Sequence, residues 1–206
     1  MEYNLDSFGV EGILNEDAPG QINDHHKSLA EKYGFIKKLH GEMHSFSVRL
    51  LSATAAKQDI ERIEQLIAAT RNIMYAAKNI ADAQHDINQM RNSSNDIKFH
   101  FFTQAQDKTA TFYRQVPEML NGRKTATLFE ELSTLYKAIT GGYTETMHSL
   151  YKSSISNQVS EVEISTLINF NRQLYTSFKS ILFGLKDYLL NAKEAGYFEN
   201  LPGFIR

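Results

Sequence analysis

An acidic and an imidazole side chain stand three residues apart twice in this sequence, a spacing that places both groups on one face of a helix. The pairs are Asp82 with His85 and Glu145 with His148. In carboxylate-bridged di-iron bundles, such pairs on two helices are joined by single carboxylates from two others. One acidic residue from each of two further helical segments completes a candidate set of six ligands: Glu42, Asp82, His85, Asp107, Glu145 and His148. One hypothesis is therefore a di-iron enzyme of ferritin type.

The helical phase of these residues argues against that hypothesis. His85 lies opposite the apolar row that contains Ile80 and Ile87. Glu145 and His148 likewise point away from the apolar row of their own segment. Because charged side chains on such faces are usually solvated, the simpler interpretation is a polar surface.

A second metal hypothesis concerns one flank of the helix that carries His85. Asp82 and Asp86 are four residues apart, and Asn79 precedes them on the same flank. Hard oxygen ligands one turn apart can hold a divalent or ferric ion when another helix adds ligands. The alternative is a solvated acidic flank that binds no metal.

A polar residue also interrupts the apolar row near the end of the chain. Asn171 stands among Ile164, Leu167 and Leu174. A buried amide must find hydrogen-bond partners or it destabilises the fold. Asn171 is therefore predicted to fix the register of its helix against a neighbour. The alternative is that Asn171 contacts a ligand together with Arg172.

Long amphipathic helices must position all of these residues. From Leu66 to Met90, apolar residues recur at a seven-residue interval with alanines between them, and a second stripe lies beside the first. This helix is therefore expected to have neighbours on both sides. Comparable periods separated by short polar links predict five helices, A to E, at 22–53, 57–91, 96–120, 127–152 and 161–195. Short links make neighbours antiparallel, so the predicted fold is an all-α antiparallel bundle of five long helices.

Residues with capping chemistry mark several of the predicted helix starts. The stretch Asn92-Ser93-Ser94-Asn95 is expected to supply the N-cap of helix C. Thr127 with Glu130, and Ser160 with Glu163, have the spacing of a capping box at the starts of helices D and E.

The two ends of the chain are predicted to lie outside the bundle, which is assigned to residues 21–196. Residues 1–20 show no sustained period and are predicted to form a flexible arm unless apolar residues such as Leu5 or Phe8 dock. Residues 197–206 are rich in apolar side chains and are predicted to pack on the bundle or on a partner.

The composition excludes several classes of protein. The 206 residues include no cysteine, which rules out disulfides and Cys-ligated zinc and is typical of a cytoplasmic chain. The net charge of -2 is nearly balanced, so no nucleic-acid partner is expected. Neither a secretory signal nor an apolar run of about 18 residues is found, so no membrane span is expected.

Three stretches resemble helices of a known family. RNIMYAAKNIADAQHDINQM (Arg71–Met90) places Lys78-Asn79-Ile80 before Asp82 and His85. It resembles a helix of PhoU-like domains, and more closely a helix in the C-terminal cytoplasmic region of bacterial sodium/phosphate cotransporters. IKKLHGEMHSFSVRL (36–50) resembles the preceding helix of that region. ISTLINFNRQLYTSFKSILFGLKDYLL (164–190) resembles its final helix, with Asn171-Arg172 and Lys186-Asp187 at matching places.

The resemblance implies a PhoU-like helical domain that acts in phosphate transport or its regulation without catalysis. The implied partner is a membrane phosphate transporter or a second copy of the chain in a homodimer. The implied location is the cytoplasm, at the inner face of the membrane. PhoU proteins can hold metal clusters through Glu/Asp-x-x-x-Asp motifs on two helices. Asp82-x-x-x-Asp86 matches one motif, whereas helix E has no second copy. A divalent metal or iron is thus a candidate cofactor. The alternatives to this function are the di-iron enzyme and a purely structural helical adaptor.

Overall fold

A computed structural model of the chain describes residues 1–10, 27–53, 56–121, 127–152 and 158–201. Every regular element in these residues is a helix, so the predicted all-α class is confirmed. The eight helices in the described ranges are α1 (Glu2–Ser7), α2 (Leu29–Ala53), α3 (Lys57–Asp82), α4 (Gln84–Arg91), α5 (Asp96–Asn121), α6 (Leu128–Leu150), α7 (Glu161–Leu189) and α8 (Ala192–Phe198).

Helix α7 forms the centre of the fold. It packs against α3, α4, α5, α6 and α8, and its buried residues occur along most of its length. Its direction is opposite to that of α3, because Ser177 Oγ donates to the Ala76 carbonyl at 2.9 Å and Arg62 Nη2 donates to the Tyr188 carbonyl at 2.8 Å. Helix α3 lies between α2 and α7, so the predicted pair of neighbours for helix B is confirmed.

Glycine allows α3 and α7 to approach closely. A Cβ atom added at Gly184 would lie 2.9 Å from Ile73 Cγ1 and 3.2 Å from the Ala69 carbonyl oxygen. Such distances are shorter than ordinary van der Waals contact, so only glycine fits here without a shift of its neighbours.

The capping predictions have mixed outcomes. Ser160 and Glu163 form the predicted capping box, and the Asn95 carboxamide accepts the backbone N–H groups of Ile97 and Lys98. The predicted box at Thr127 is wrong, because Thr127 makes no side-chain cap bond and its hydroxyl instead donates to Glu131 at 2.7 Å.

Two predicted helices are divided in the structure. Helix B is interrupted at Ala83, where α3 gives way to α4. Helix E ends at Leu189, and Asn191 with Glu194 forms a new capping box that starts α8. The predicted end of helix E at Ala195 is therefore wrong. The Asn191 side chain accepts the Glu194 backbone N–H at 2.9 Å and so caps a new helix.

The N-terminal segment docks on the bundle through Leu5 and Phe8, which is the stated alternative to a flexible arm for this part of residues 1–20. Leu5 and Phe8 are buried, and the Phe8 ring lies 6.4 Å from that of Phe102 and 6.1 Å from that of Phe170. Residues 11–20 of the predicted arm lie outside the described residues. In the C-terminal segment, Phe198 is fully buried, with its ring 5.9 Å from that of Tyr136, while residues 202–206 lie outside the described ranges.

Candidate functional site

The structure does not bring the six residues of the di-iron hypothesis together. Within the described ranges, no three His, Asp or Glu side chains cluster as metal ligands would. Glu42 lies on α2 with Lys38 Nζ at 3.9 Å, and His85 lies on α4 with its Nε2 3.1 Å from the Gln89 amide nitrogen. The other members of the set occupy three different helices: Asp82 on α3, Asp107 on α5, and Glu145 and His148 on α6.

These acidic and imidazole side chains face solvent, as their helical phase predicted. Glu42, His85, Asp107, Glu145 and His148 are all exposed. Di-iron ligands come from several helices but must converge inside the bundle, whereas these side chains are exposed and, within the described residues, do not cluster. The di-iron arrangement is therefore not supported by these positions.

In the Asp82–Asp86 pair, Asp82 contacts a lysine one turn earlier on its own helix. Lys78 Nζ donates to Asp82 Oδ2 at 2.6 Å, and this hydrogen bond is the main cause that raises the pKa of Lys78. Asn79 donates to the Tyr75 carbonyl at 2.8 Å, within its own helix. The break at Ala83 places Asp82 on α3, whereas His85 and the half-buried Asp86 lie on α4. The Ala83 N–H still donates to the Asn79 carbonyl at 3.1 Å, and the Ile87 N–H donates to the Ala83 carbonyl at 2.9 Å, so the two aspartates keep a helical spacing across the break. A metal site at this pair therefore stays a prediction.

Asn171 lies where the register hypothesis placed it. The residue is buried on α7, and its Nδ2 donates to the Tyr143 carbonyl of α6 at 3.4 Å, a long contact between two helices. Arg172 is exposed and donates to Asn169 on its own helix at 3.0 Å. The two side chains therefore do not act on one group.

The structure contains two buried polar networks whose burial and contacts the sequence did not predict. Lys186 Nζ lies 2.8 Å from Asp187 Oδ1 and 2.7 Å from Glu199 Oε1, which joins α7 to the residue that follows α8. Asn4 Nδ2 donates to the hydroxyl of Tyr113 at 2.6 Å, and burial raises the pKa of that phenol. The resemblance had pointed to Lys186-Asp187 without giving a role, whereas no pattern around Asn4 indicated burial. Both networks are buried and join helices, so we interpret them as structural.

The most unusual surface belongs to α2. In the part of the chain that the structure describes, none of the 25 residues of α2 is buried, although the helix packs on α3 and α1. Leu29, Tyr33 and Ile36 near its start are partly buried against the core. The rest of the helix therefore lies at the edge of the fold.

An apolar row runs along this exposed helix, and we call it the α2 row. Its members follow one another at intervals of four, four, three and four residues: Phe35, Leu39, Met43, Phe46 and Leu50. Their exposed fractions lie between 40% and 58%. Residues at these intervals form one continuous stripe on a helix. The apolar α2 residues that pack against the core are Leu29, Tyr33 and Ile36, so the α2 row faces away from the buried centre.

The size of this surface is typical of an interaction site. With roughly 200 Å² as the full accessible area of a large apolar side chain, the α2 row exposes roughly 450 Å². The largest apolar patch on a typical monomer measures about 300–600 Å² and is often functional, so the α2 row has the size of such a principal patch. The α2 row is therefore the candidate functional site.

Comparisons of this chain with models of known protein families, with characterised proteins and with solved structures found no match. Among the described helices, none has the combination of length and apolar character that crossing a bilayer requires.

Proposed function

We propose that this chain is a non-catalytic interaction domain that pairs with a second copy of itself through the α2 row. The observation that carries the proposal is a 25-residue helix without a buried residue that bears a continuous row of large apolar side chains. Burial of such a row against a partner helix removes apolar area from water and stabilises the association.

The spacing of the row favours a second copy as the partner. When two α2 helices pair antiparallel about a point between Glu42 and Met43, Phe35 faces Leu50 and Leu39 faces Phe46 of the other copy. Each aromatic ring then meets a leucine, and the two Met43 side chains lie close to the two-fold axis. This alignment gives the self-complementary patch that a two-fold dimer needs.

The area involved suggests a concentration-dependent dimer. A standard stable interface buries about 800 Å² on each partner, and the row supplies roughly half of that. The polar side chains that flank the row on α2 would supply the remainder as a rim. We therefore expect association that is readily measured and readily weakened by a single charge.

Sedimentation equilibrium tests this proposal. Phe46→Glu places a charge within the row, at its most exposed member, so we expect the variant to be monomeric at concentrations where the wild type is dimeric. His44→Glu is the matched control, because His44 is exposed on a different face of the same helix. A monomeric wild-type protein, or equal dissociation of both variants, would contradict the proposal that the row pairs with a second copy.

The resemblance of Arg71–Met90 supports a place for this domain in phosphate transport or its regulation. In that setting we infer that the chain has a PhoU-like bundle and that the dimer contacts a membrane phosphate transporter on its cytoplasmic side. Co-purification with a phosphate permease, using an unrelated transporter as the control, tests the inference. Recovery of equal amounts of the chain with both transporters would refute it.

A further inference from the structure

A cleft of about 320 Å³ opens between α5, α6 and α7. Both α5 and α6 pack on α7, but they make far less contact with each other, so a wedge of space remains between them. Ligand sites in proteins generally span about 300–1,000 Å³, so this cleft suits a small molecule.

Two stacked pairs of aromatic rings line the cleft. The rings of Phe112 and Phe178 have centroids 4.6 Å apart at an angle of 23°. The rings of Tyr143 and Tyr175 have centroids 4.6 Å apart at 27°. The aliphatic part of the wall consists of Leu135, Ala138, Ile139 and Leu174. Such walls favour a flat apolar body.

Lys108 is the cation of the cleft. It is half-buried, and its Nζ donates to the hydroxyl of Thr146 at 2.6 Å and to the Gly142 carbonyl at 3.4 Å. Burial lowers the pKa of Lys108, an effect that the negative charge of Glu145 opposes. Among the described residues, no carboxylate forms an ion pair with this ammonium group. A partly desolvated cation that no carboxylate contacts directly favours an anionic ligand. Asp107 also lines the cleft, so a ligand with a single negative charge fits best.

Asn171 adds a polar group to the same cleft. Its side chain is more than nine-tenths buried, and its one described hydrogen bond is the 3.4 Å contact with the Tyr143 carbonyl. A carboxamide has two N–H donors and an accepting oxygen, so Asn171 retains capacity for a ligand.

We infer that this cleft binds a small organic anion, in particular an aromatic monocarboxylate. The flat body of the ligand lies against the ring pairs, and its carboxylate contacts Lys108 and Asn171. The inference does not depend on the α2 row, because no residue of α2 lines the cleft.

Calorimetric titration of the full chain with 2-naphthoate tests the inference, with the uncharged 2-naphthalenemethanol as the matched ligand. We expect the wild type to bind the carboxylate at least about 10-fold more tightly than the alcohol. Lys108→Met should reduce the affinity for naphthoate to that for the alcohol and leave the alcohol unaffected, whereas Lys108→Arg should retain most of the preference. Lys137→Met is the control, because Lys137 is an exposed lysine of α6 outside the cleft.

A second variant tests the location of the ligand without removing the charge. Ala138 lines the cleft but is exposed, so Ala138→Trp fills the space without disturbing the buried core and should abolish binding of both ligands. The inference is overturned if the wild type does not bind naphthoate at millimolar concentration. It is also overturned if the wild type binds both ligands equally, or if Lys137→Met weakens binding as much as Lys108→Met does.

Discussion

The contact between α3 and α7 gives the sharpest prediction for stability. In Gly184→Ala the new methyl group would lie 2.9 Å from Ile73 Cγ1 and 3.2 Å from the Ala69 carbonyl oxygen. Overpacking of a dense contact costs about 1–3 kcal/mol. Replacing glycine by alanine within a helix recovers up to about 1 kcal/mol. With a central cost of about 2 kcal/mol and a recovery of about 1 kcal/mol, we expect the free energy of unfolding to fall by about 1 kcal/mol.

Thermal unfolding followed by circular dichroism measures this effect. For a chain of this length, about 1 kcal/mol corresponds to a change in Tm of about 2–4 °C, so Gly184→Ala should lower the Tm by about 2–4 °C. Gly141→Ala is the matched control, since Gly141 lies within α6 and a Cβ there meets no atom within 4 Å. The control should raise the Tm, because only the gain in helix propensity applies.

A double variant separates the proposed steric cause from other effects. Ile73→Ala removes the side-chain atom closest to the new methyl group. Gly184→Ala should therefore cost less free energy of unfolding in the Ile73→Ala background than in the wild type. The coupling between the two changes should be at least about 0.5 kcal/mol. An increase in Tm for Gly184→Ala equal to that for Gly141→Ala would refute the reasoning, as would strict additivity of the two substitutions.

Two further predictions concern α7 and α1. Hydrogen bonds from Lys98 and Ser160 lower the pKa of Glu163 from 4.5 to about 2, so its stabilising effect is complete above pH 4.5 and is lost as the pH falls towards 2. In Glu163→Gln the Tm should therefore change less between pH 5 and pH 2 than in the wild type, and parallel profiles for the two proteins would contradict this. Phe8 is fully buried, so Phe8→Ala should cost about 3–5 kcal/mol in chemical denaturation. A loss below about 1 kcal/mol would mean that α1 is not docked in solution.

Helical periodicity predicted the long elements and the outward orientation of most polar residues. His85, Glu145 and His148 are exposed, as expected from their angle to the apolar rows. This success has a simple origin, because an apolar stripe fixes the rotation of a helix about its axis. The same argument cannot detect the break at Ala83, since Ile80, Ala83 and Ile87 are all buried and the row remains in phase across it.

Other features escaped prediction because they depend on tertiary contacts. Helix α1 is a six-residue helix, too short to show a period, and its docking depends on partners such as Phe102 and Phe170, far away in the sequence. The α2 row has the pattern of a core-facing stripe, and periodicity cannot tell burial within one chain from burial between two. Lys108 did give a signal, since it interrupts an apolar row, but only the space between α5 and α6 shows what such a cation can bind.

Cysteine cross-linking tests the pairing of α2 most directly, because the natural sequence contains no cysteine. In the antiparallel alignment the Met43 side chains of two copies lie beside the two-fold axis, so Met43→Cys should form a covalent dimer on mild oxidation. His44→Cys, on a different face of α2, should remain monomeric under the same conditions. Rapid cross-linking of Phe35→Cys with Leu50→Cys in a mixture, but of neither variant alone, would further establish the antiparallel register. Absence of a covalent Met43→Cys dimer, or equal cross-linking of Met43→Cys and His44→Cys, would contradict the proposed dimer.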